Sequence, residues 1–297
     1  MTLSVLILSF NHAPYIGEAV ASVVRQLEYV DHIELLILDD GSTDGTREIL
    51  EGLQMPPNIS LRLFLNEHKG VEAIAGNFNF LITKSAGKYV SFLASDDYFP
   101  PEAFKQQIAH MELHSATQLV YANGVNMSDG QALGRLHVGF VRQALATGDA
   151  GQVEAALTSS VPQLYIQALL VRRSFFEGFA PFDETLIADD WAFNIRVFRR
   201  LRTEGSAFHF WDGIAFHRRL LLSSTSNNLR VHYHRILQVA RKYVPANSDS
   251  FFAYFYLRYA KTFIRQRMPR RAVSMIWRLF LLKIGSRHHS QGLEQLL

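Results

Sequence analysis

The 297-residue chain contains no cysteine. Disulfide frameworks and thiolate metal sites are therefore excluded. A reducing compartment fits that composition, although many exported proteins share it. The chain also lacks any uninterrupted apolar run of about 18 residues, the length a spanning helix needs. Its first segment, Met1-Thr2-Leu3-Ser4-Val5-Leu6-Ile7-Leu8-Ser9, has no basic flank and turns polar at Ser9, Asn11 and His12. That pattern reads as a buried first strand rather than a secretion signal. Three signatures are missing as well: a G-x-G-x-x-G opening a helix, a P-loop lysine motif and a G-x-S-x-G elbow. Dinucleotide oxidoreduction, P-loop phosphoryl transfer and α/β-hydrolase chemistry lose support accordingly. No internal repeat or low-complexity tract occurs.

What is present is apolar mass and an uneven charge. Apolar residues make up 48% of the chain, enough for a sizeable core. The net charge of +3 conceals an asymmetry: residues 250–292 carry nine Lys/Arg and no Asp/Glu, leaving 21 basic and 27 acidic residues elsewhere. A mildly acidic body is thus joined to a basic tail.

The first hundred residues alternate strand and helix patterns. Apolar runs at 3–9, 33–38, 59–65 and 88–93 read as strands. Helical spacing at 14–27, 43–53 and 70–83 fills the gaps, with Pro14 in a first turn and Gly87 as a stop signal. This rhythm implies a mostly parallel, Rossmann-like α/β sheet with helices on both faces. A helix at 101–114 and a strand at 118–121 follow. The stretch 123–140 reads as a hairpin or loop, and 161–171 as a strand or a buried helix. A helix is expected over 190–201 and short strands at 207–210 and 213–217. Beyond residue 228 the pattern turns helical at 229–243, 250–266 and 270–284, with Pro245 and Pro269 as breaks. The expected organisation is a domain over 1–225 and a basic, aromatic helical extension over 226–297.

Two acidic clusters follow two of the apolar runs: Leu38-Asp39-Asp40-Gly41-Ser42-Thr43-Asp44 and Leu93-Ala94-Ser95-Asp96-Asp97. In an open parallel sheet, ligands bind outside the carboxyl ends of the strands. Carboxylates there suit hydrogen bonding to a base or ribose. Hard divalent cations such as Mg²⁺ or Mn²⁺ prefer carboxylate and phosphate oxygens. The structural alternative is helix capping by Ser42, Thr43 or Asp44.

These motifs in series resemble family 2 glycosyltransferases. The resemblance rests on Ser4 to Asn11, Leu38 to Thr46, Asn66, Gly70, Ala75-Gly76-Asn77 and Ala86 to Asp97, and it covers roughly residues 3–225. It implies a GT-A fold and inverting transfer from a UDP- or dTDP-sugar to a glycan or lipid-linked acceptor in cell-surface polysaccharide synthesis. By the same resemblance Phe10 stacks on the base and Asp40 accepts from its imide N–H. Asp96 lies by the ribose and metal, and Asp97 ligates Mn²⁺ or Mg²⁺. Asn11, Lys69 and Gly70 line the nucleotide pocket. In Ala188-Asp189-Asp190-Trp191, Asp190 corresponds to the general base, with Asp189 in place of the usual Glu. His217-Arg218-Arg219 corresponds to the basic stretch over the diphosphate. Ser9, Ala94 and Gly76 depart from the residues common in relatives. Structural alternatives stand beside these roles: Phe10 as a core aromatic, Asp190 as a helix cap, and His217-Arg218 as a solvated cluster.

The basic tail crowds Phe251, Phe252, Tyr254, Phe255, Tyr256, Tyr259 and Phe263 among Arg258, Lys261, Arg265 and Arg267. A cationic, aromatic amphipathic helix suits an anionic membrane surface. Peripheral contact through residues 250–287 at the cytoplasmic face is expected, with packing on the main domain as the alternative. Nucleic acid is not an expected partner. Two rival readings remain: a sugar-phosphate nucleotidyltransferase, disfavoured by Asn11-His12-Ala13-Pro14-Tyr15 where a Gly-rich basic loop would stand, and a catalytically silent sugar-nucleotide-binding protein.

Overall fold

Strand β1 (Thr2–Ser9) is the axis of the molecule. Its Leu3, Val5, Leu6 and Ile7 are fully buried, as expected of a strand covered on both faces. It pairs in parallel with β2 (His32–Asp39) on one side and β4 (Tyr89–Ala94) on the other, and β3 (Ile59–Leu65) lies outside β2. The resulting order β3-β2-β1-β4 opens a crevice between β1 and β4, beyond the carboxyl ends of the strands. The register sets Ser9 opposite Asp39 and Leu8 opposite Ala94, so the residues that follow all three strands emerge at one rim.

The structure is a computed structural model that describes residues 2–160, 163–187, 190–221, 229–245, 248–265 and 267–283. Helices α1 (Ala13–Val24), α2 (Thr46–Glu51) and α3 (Ile74–Lys84) connect the parallel strands. α1 begins with Pro14 in its first turn and buries Ile16, Ala19, Val20 and Val23 along one face. After α4 (Lys105–Leu113) the sheet becomes mixed. β5 (Thr117–Ser128) forms a hairpin with β6 (Gln131–Arg135). β7 (Leu169–Arg172) lies antiparallel between β4 and β5, and β8 (Ala207–Arg219) pairs in parallel with β5. This is the GT-A arrangement: a mostly parallel sheet flanked by helices and followed by C-terminal helices.

Several expectations are revised. The strand expected at 118–121 runs on to Ser128, and the two short strands at 207–217 are one strand with register shifts against β5. The ambiguous run 161–171 ends in a 3₁₀ turn and then β7. Two helices had no clear sequence pattern, α5 (Gly139–Ala146) and α6 (Ala150–Ser159). The Asp149 carboxylate caps α6 by accepting from Gly151 and Gln152 N–H.

Helix α7 (Asp190–Glu204) packs on α6, and α8 (Leu229–Tyr243), α9 (Asp249–Arg265) and α10 (Pro269–Lys283) follow. The domain boundary expected at 225/226 lies outside the described residues. The extension is tied to the body at several points, two of which involve buried groups. Trp191 stacks on Phe251 with ring centroids 5.7 Å apart. Lys242 Nζ lies 2.6 Å from the buried Asp183 carboxylate, to which Tyr243 also donates. Burial works against that carboxylate's charge, yet the Lys242, Tyr243 and Thr185 hydrogen bonds hold its pKa well below the usual range. Of the tail aromatics, Phe251, Phe252, Phe255, Tyr256, Tyr259 and Phe263 are buried, so this stripe belongs to the core. No helix among the described residues is long and apolar enough to cross a membrane.

His137, fully buried after β6, is held neutral. Its Nε2 accepts from Tyr165 N–H at 3.1 Å, which leaves Nδ1 to donate to the Ala122 carbonyl at 2.9 Å. Burial pushes its pKa from 6.5 down to about 4. Between those values the unfolded chain binds a proton that the native state refuses, so stability falls as pH drops through this window. From pH 7 to pH 4.5 this amounts to about 2 kcal/mol. Urea unfolding at the two pH values is expected to show that His137→Gln loses about 2 kcal/mol less than the wild type.

Candidate active site

The loop after β2 is built around Asp39. Its carboxylate is fully buried and accepts from the N–H groups of Gly41 and Ser42, from Ser42 Oγ and from Arg47 Nε at 2.8 Å. Asp39 is thus structural, and the next residue, Asp40, turns to the crevice. Gly41 has φ +83°, and a Cβ there would come within 2.5 Å of the His68 backbone nitrogen. Only glycine allows the two loops to approach so closely. Across that contact the Asp40 carboxylate accepts from Lys69 and Gly70 N–H, each at 3.2 Å, and His68 Nδ1 lies 2.9 Å from Oδ2.

Phe10 follows β1 and is partly exposed. One face of its ring stacks on His68, with centroids 4.1 Å apart and planes 13° from parallel. Asn11 has φ +53° and knits the β1 and β2 loops together: its N–H donates to Ser42 Oγ, and its Oδ1 accepts from Thr43 N–H. Asp44 accepts from Ala13 N–H at the start of α1 and from Thr46 N–H at the start of α2, so it does cap helices.

After β4, Asp96 and Asp97 part company. Asp96 faces the crevice. Asp97 is 3% exposed and accepts from Arg219 N–H at 2.9 Å. Burial, then the neighbouring Asp96 charge, pushes the Asp97 carboxyl well above its usual range, against the pull of Arg219 and Arg218. Arg219 also donates to the Asp96 carbonyl and to Glu18, and its guanidinium lies 4.7 Å over the Tyr98 ring. His217 pairs with Tyr98 through both backbone bonds, and its buried Nδ1 has no partner among the described residues. Arg218 lies 5.2 Å over the Tyr165 ring and donates to Asn126.

Asp190 opens α7, where an acidic first turn suits the helix dipole. Its Oδ2 accepts weakly from Ile166 N–H at 3.4 Å. Asn194 Nδ2 donates to the Asp190 carbonyl at 2.7 Å and to the Leu164 carbonyl at 2.9 Å, while Tyr121 Oη donates to Asn194 Oδ1. Asp189 lies outside the described residues, as does the serine-rich stretch after Leu221.

Phe10, Asn11, Asp40, Gly70, Asp96 and Asp190 line one cavity of about 990 Å³. Lys69 meets Asp40 through its backbone, and Asp97, His217 and Arg218 lie off the cavity lining. The Tyr121–Asn194 pair, His68 and Arg235 of α8 were not anticipated. The side chains of His68 and Arg235 reach the site only through long-range packing that no local pattern announces.

A hard divalent cation takes one or two protein carboxylates and fills its shell with phosphate oxygens and water. Asp96 lines the cavity and could supply one such ligand, whereas Asp97 lies buried behind it and accepts from Arg219 N–H. No cluster of three or more His, Asp or Glu side chains with ligating geometry occurs among the described residues. The remaining ligands would therefore come from the substrate and water.

The cavity lies outside the carboxyl ends of the parallel strands, where open α/β sheets bind their ligands. Residues 4–149, just under half of the chain, match the family model described as glycosyl transferase family 2. The chain is 33% identical over 130 residues to the putative teichuronic acid biosynthesis glycosyltransferase TuaG of Bacillus subtilis, covering 44% of this chain and 50% of that protein. It is 30% identical over 127 residues to the poly(ribitol-phosphate) beta-N-acetylglucosaminyltransferase TarS of Staphylococcus aureus, covering 42% of this chain and 22% of that one. The chain spans between about a third and a half of the length of the first curated relatives it matches. Among solved structures, residues 1–349 of S. aureus TarS in complex with UDP-GlcNAc align with a TM-score of 0.61 at 16% identity, covering 96% of this chain and 93% of that one. A mannosyltransferase of Pyrobaculum calidifontis in complex with GDP-Man and Mn²⁺ aligns with a TM-score of 0.57 at 17% identity, covering 81% and 63%.

The strained Asp97 yields a stability test. In EDTA at pH 7, Asp97→Asn keeps an acceptor for Arg219 N–H and removes a carboxyl whose charged form burial and Asp96 disfavour. Its melting temperature is expected to rise by about 2–4 °C, the shift that about 1 kcal/mol produces in a domain of roughly this size. Mn²⁺ with UDP is expected to stabilise the wild type and to leave the variant unmoved. A lower melting temperature for the variant in EDTA contradicts the assignment of strain.

Proposed function

We propose that the chain transfers a sugar from a UDP- or dTDP-sugar to a hydroxyl of a glycan or lipid-linked saccharide, inverting the anomeric centre. The observation that carries this reading is the single cavity shared by Phe10 and Asp40 after β1 and β2, Asp96 after β4, and Asp190 at the start of α7. Phe10 offers a ring face to the base, and Asp40 offers an acceptor for its imide N–H. Asp96 and Asp97 hold Mn²⁺ or Mg²⁺, which when bound supplies Lewis-acid stabilisation of the departing diphosphate. Lys69 and Gly70 fix Asp40 through their N–H groups, and Asn11 braces the loop. His217 and Arg218 stand behind the acidic pair at the end of β8.

In the reaction, the acceptor oxygen forms a bond to the anomeric carbon as the bond from that carbon to the diphosphate oxygen breaks. The hydroxyl proton passes to the Asp190 carboxylate, and the nucleoside diphosphate leaves. Asn194 and Tyr121 hold the backbone of Asp190 in place. The apolar walls at Leu8, Phe78, Phe92 and Ile166 limit water in the cavity. The names of TuaG and TarS support a role in cell-surface polysaccharide synthesis.

Asp190→Asn is expected to lower transfer at least a hundredfold while UDP affinity, measured by calorimetry with Mn²⁺, stays within about threefold; general-base removal has effects of that order. A fully active variant rules out the assigned role.

The reading also includes peripheral contact with the anionic cytoplasmic leaflet. The α9 stripe is buried, and the outer face of α10 is the surface that supports this contact. There Val273, Ile276, Trp277 and Phe280 are exposed at i, i+3, i+4 and i+7, while Ala272, Met275 and Leu282 pack inward. A helix apolar on both faces needs a cover for the outer one. The all-positive charge of residues 250–292 favours anionic lipid over a second copy of the same surface. The full chain is expected to float with phosphatidylglycerol-containing vesicles but not with pure phosphatidylcholine, and Trp277→Ser with Phe280→Ser is expected to weaken flotation at least tenfold. Equal flotation of variant and wild type refutes the contact, as does lipid-free self-association that the same substitutions abolish.

A further inference from the structure

The cavity carries an imbalance of charge. Five carboxylates line it, Asp40, Asp44, Glu72, Asp96 and Asp190, and such a wall repels a diphosphate unless cations answer it. The basic residues that the β8 motif offers are occupied elsewhere. Arg218 covers Tyr165 and bonds Asn126; Arg219 bonds the Asp96 carbonyl and Glu18. Neither lines the cavity. Among the described lining residues one side chain is a lysine or arginine: Arg235, from helix α8.

Two further observations single out Arg235. Its Nε is buried and has no hydrogen-bond partner among the described residues. A buried donor left without an acceptor is costly, and in a native structure it points to a missing ligand. The helix that presents it is also fixed. Ile236, Leu237, Val239 and Ala240 are buried, Lys242 and Tyr243 are bonded to Asp183, and Gln238 Oε1 accepts from Ile187 N–H just ahead of Asp190. A guanidinium held in this way presents a planar fork of donors that matches phosphate oxygens in pairs.

We infer that Arg235 binds the diphosphate of the donor, so that the C-terminal extension completes the nucleotide site. The inference rests on the transfer reading and assigns the leaving-group contact to α8 rather than to the basic end of β8. A diphosphate on a lipid-linked acceptor has the same chemistry, and the test separates the two by leaving the acceptor out.

Calorimetry of the full chain with Mn²⁺ compares uridine with UDP for the wild type, Arg235→Ala and Arg235→Lys. Arg235→Ala is expected to weaken UDP at least tenfold while uridine affinity stays within twofold, and Arg235→Lys is expected to recover part of the loss. UDP affinity within twofold of wild type in Arg235→Ala overturns the assignment and returns the contact to another group or to the acceptor. A parallel fall of uridine and UDP, or no recovery with lysine, also overturns it by showing a structural role. A wild type that binds neither uridine nor UDP, and neither thymidine nor dTDP, removes the transfer reading itself, an outcome distinct from an indifferent Arg235→Ala.

Discussion

The buried Asp39 carboxylate is the constraint on which the site depends. It gathers two backbone N–H groups, a hydroxyl and the Arg47 guanidinium at the end of β2. Arg47 reaches on to the Asn66 carbonyl, and Asn66 N–H in turn donates to the Asp39 carbonyl at 2.9 Å. One fully paired ion therefore fixes the ends of β2 and β3 and the start of α2 together. A buried charge is tolerated only when paired so completely. Adjacent aspartates thereby take opposite positions: the first holds the loop, and the second faces the cavity.

A similar division appears after β4, where Asp97 is held by the end of β8 and Asp96 faces the cavity. Arg219 links this loop to α1 through Glu18, and His12 Nδ1 lies 2.7 Å from Ser95 Oγ across the β1–β4 crevice. The rim is thus cross-braced in both directions: the parallel register of β1 with its two neighbours sets three strand ends side by side, and the end of β8 ties in residues some two hundred positions away.

Much of this was legible in the sequence. The parallel strands were clear because they are nearly continuous apolar runs with turn residues at their ends. The three C-terminal helices were clear because prolines separate them. The Asp39-Asp40 and Asp96-Asp97 clusters stand out because each follows an apolar run, whereas Phe10 and Asp190 are reached only through the family resemblance. What could not be read depends on contacts remote in sequence. Phe251, Phe252, Phe255, Tyr256, Tyr259 and Phe263 form a helical stripe that suits a core and a membrane equally, and only Trp191 and the facing helices decide between them. Helices α5 and α6 are short; α5 opens on Gly139 and α6 lies just after Gly148, and both glycines obscure the periodicity. Arg235 sits among other basic and histidine residues on α8, and nothing in its neighbourhood marks it as the one directed to the cavity.

The glycine at position 41 limits how this architecture can diversify. Because the backbone at His68 occupies the space a Cβ would need, the two loops cannot separate or bear larger residues at their point of contact without disturbing Asp40. Any reshaping of the cavity mouth is therefore left to the side chains at positions 10 and 68, which stack there, while the close backbone contact behind them keeps its form.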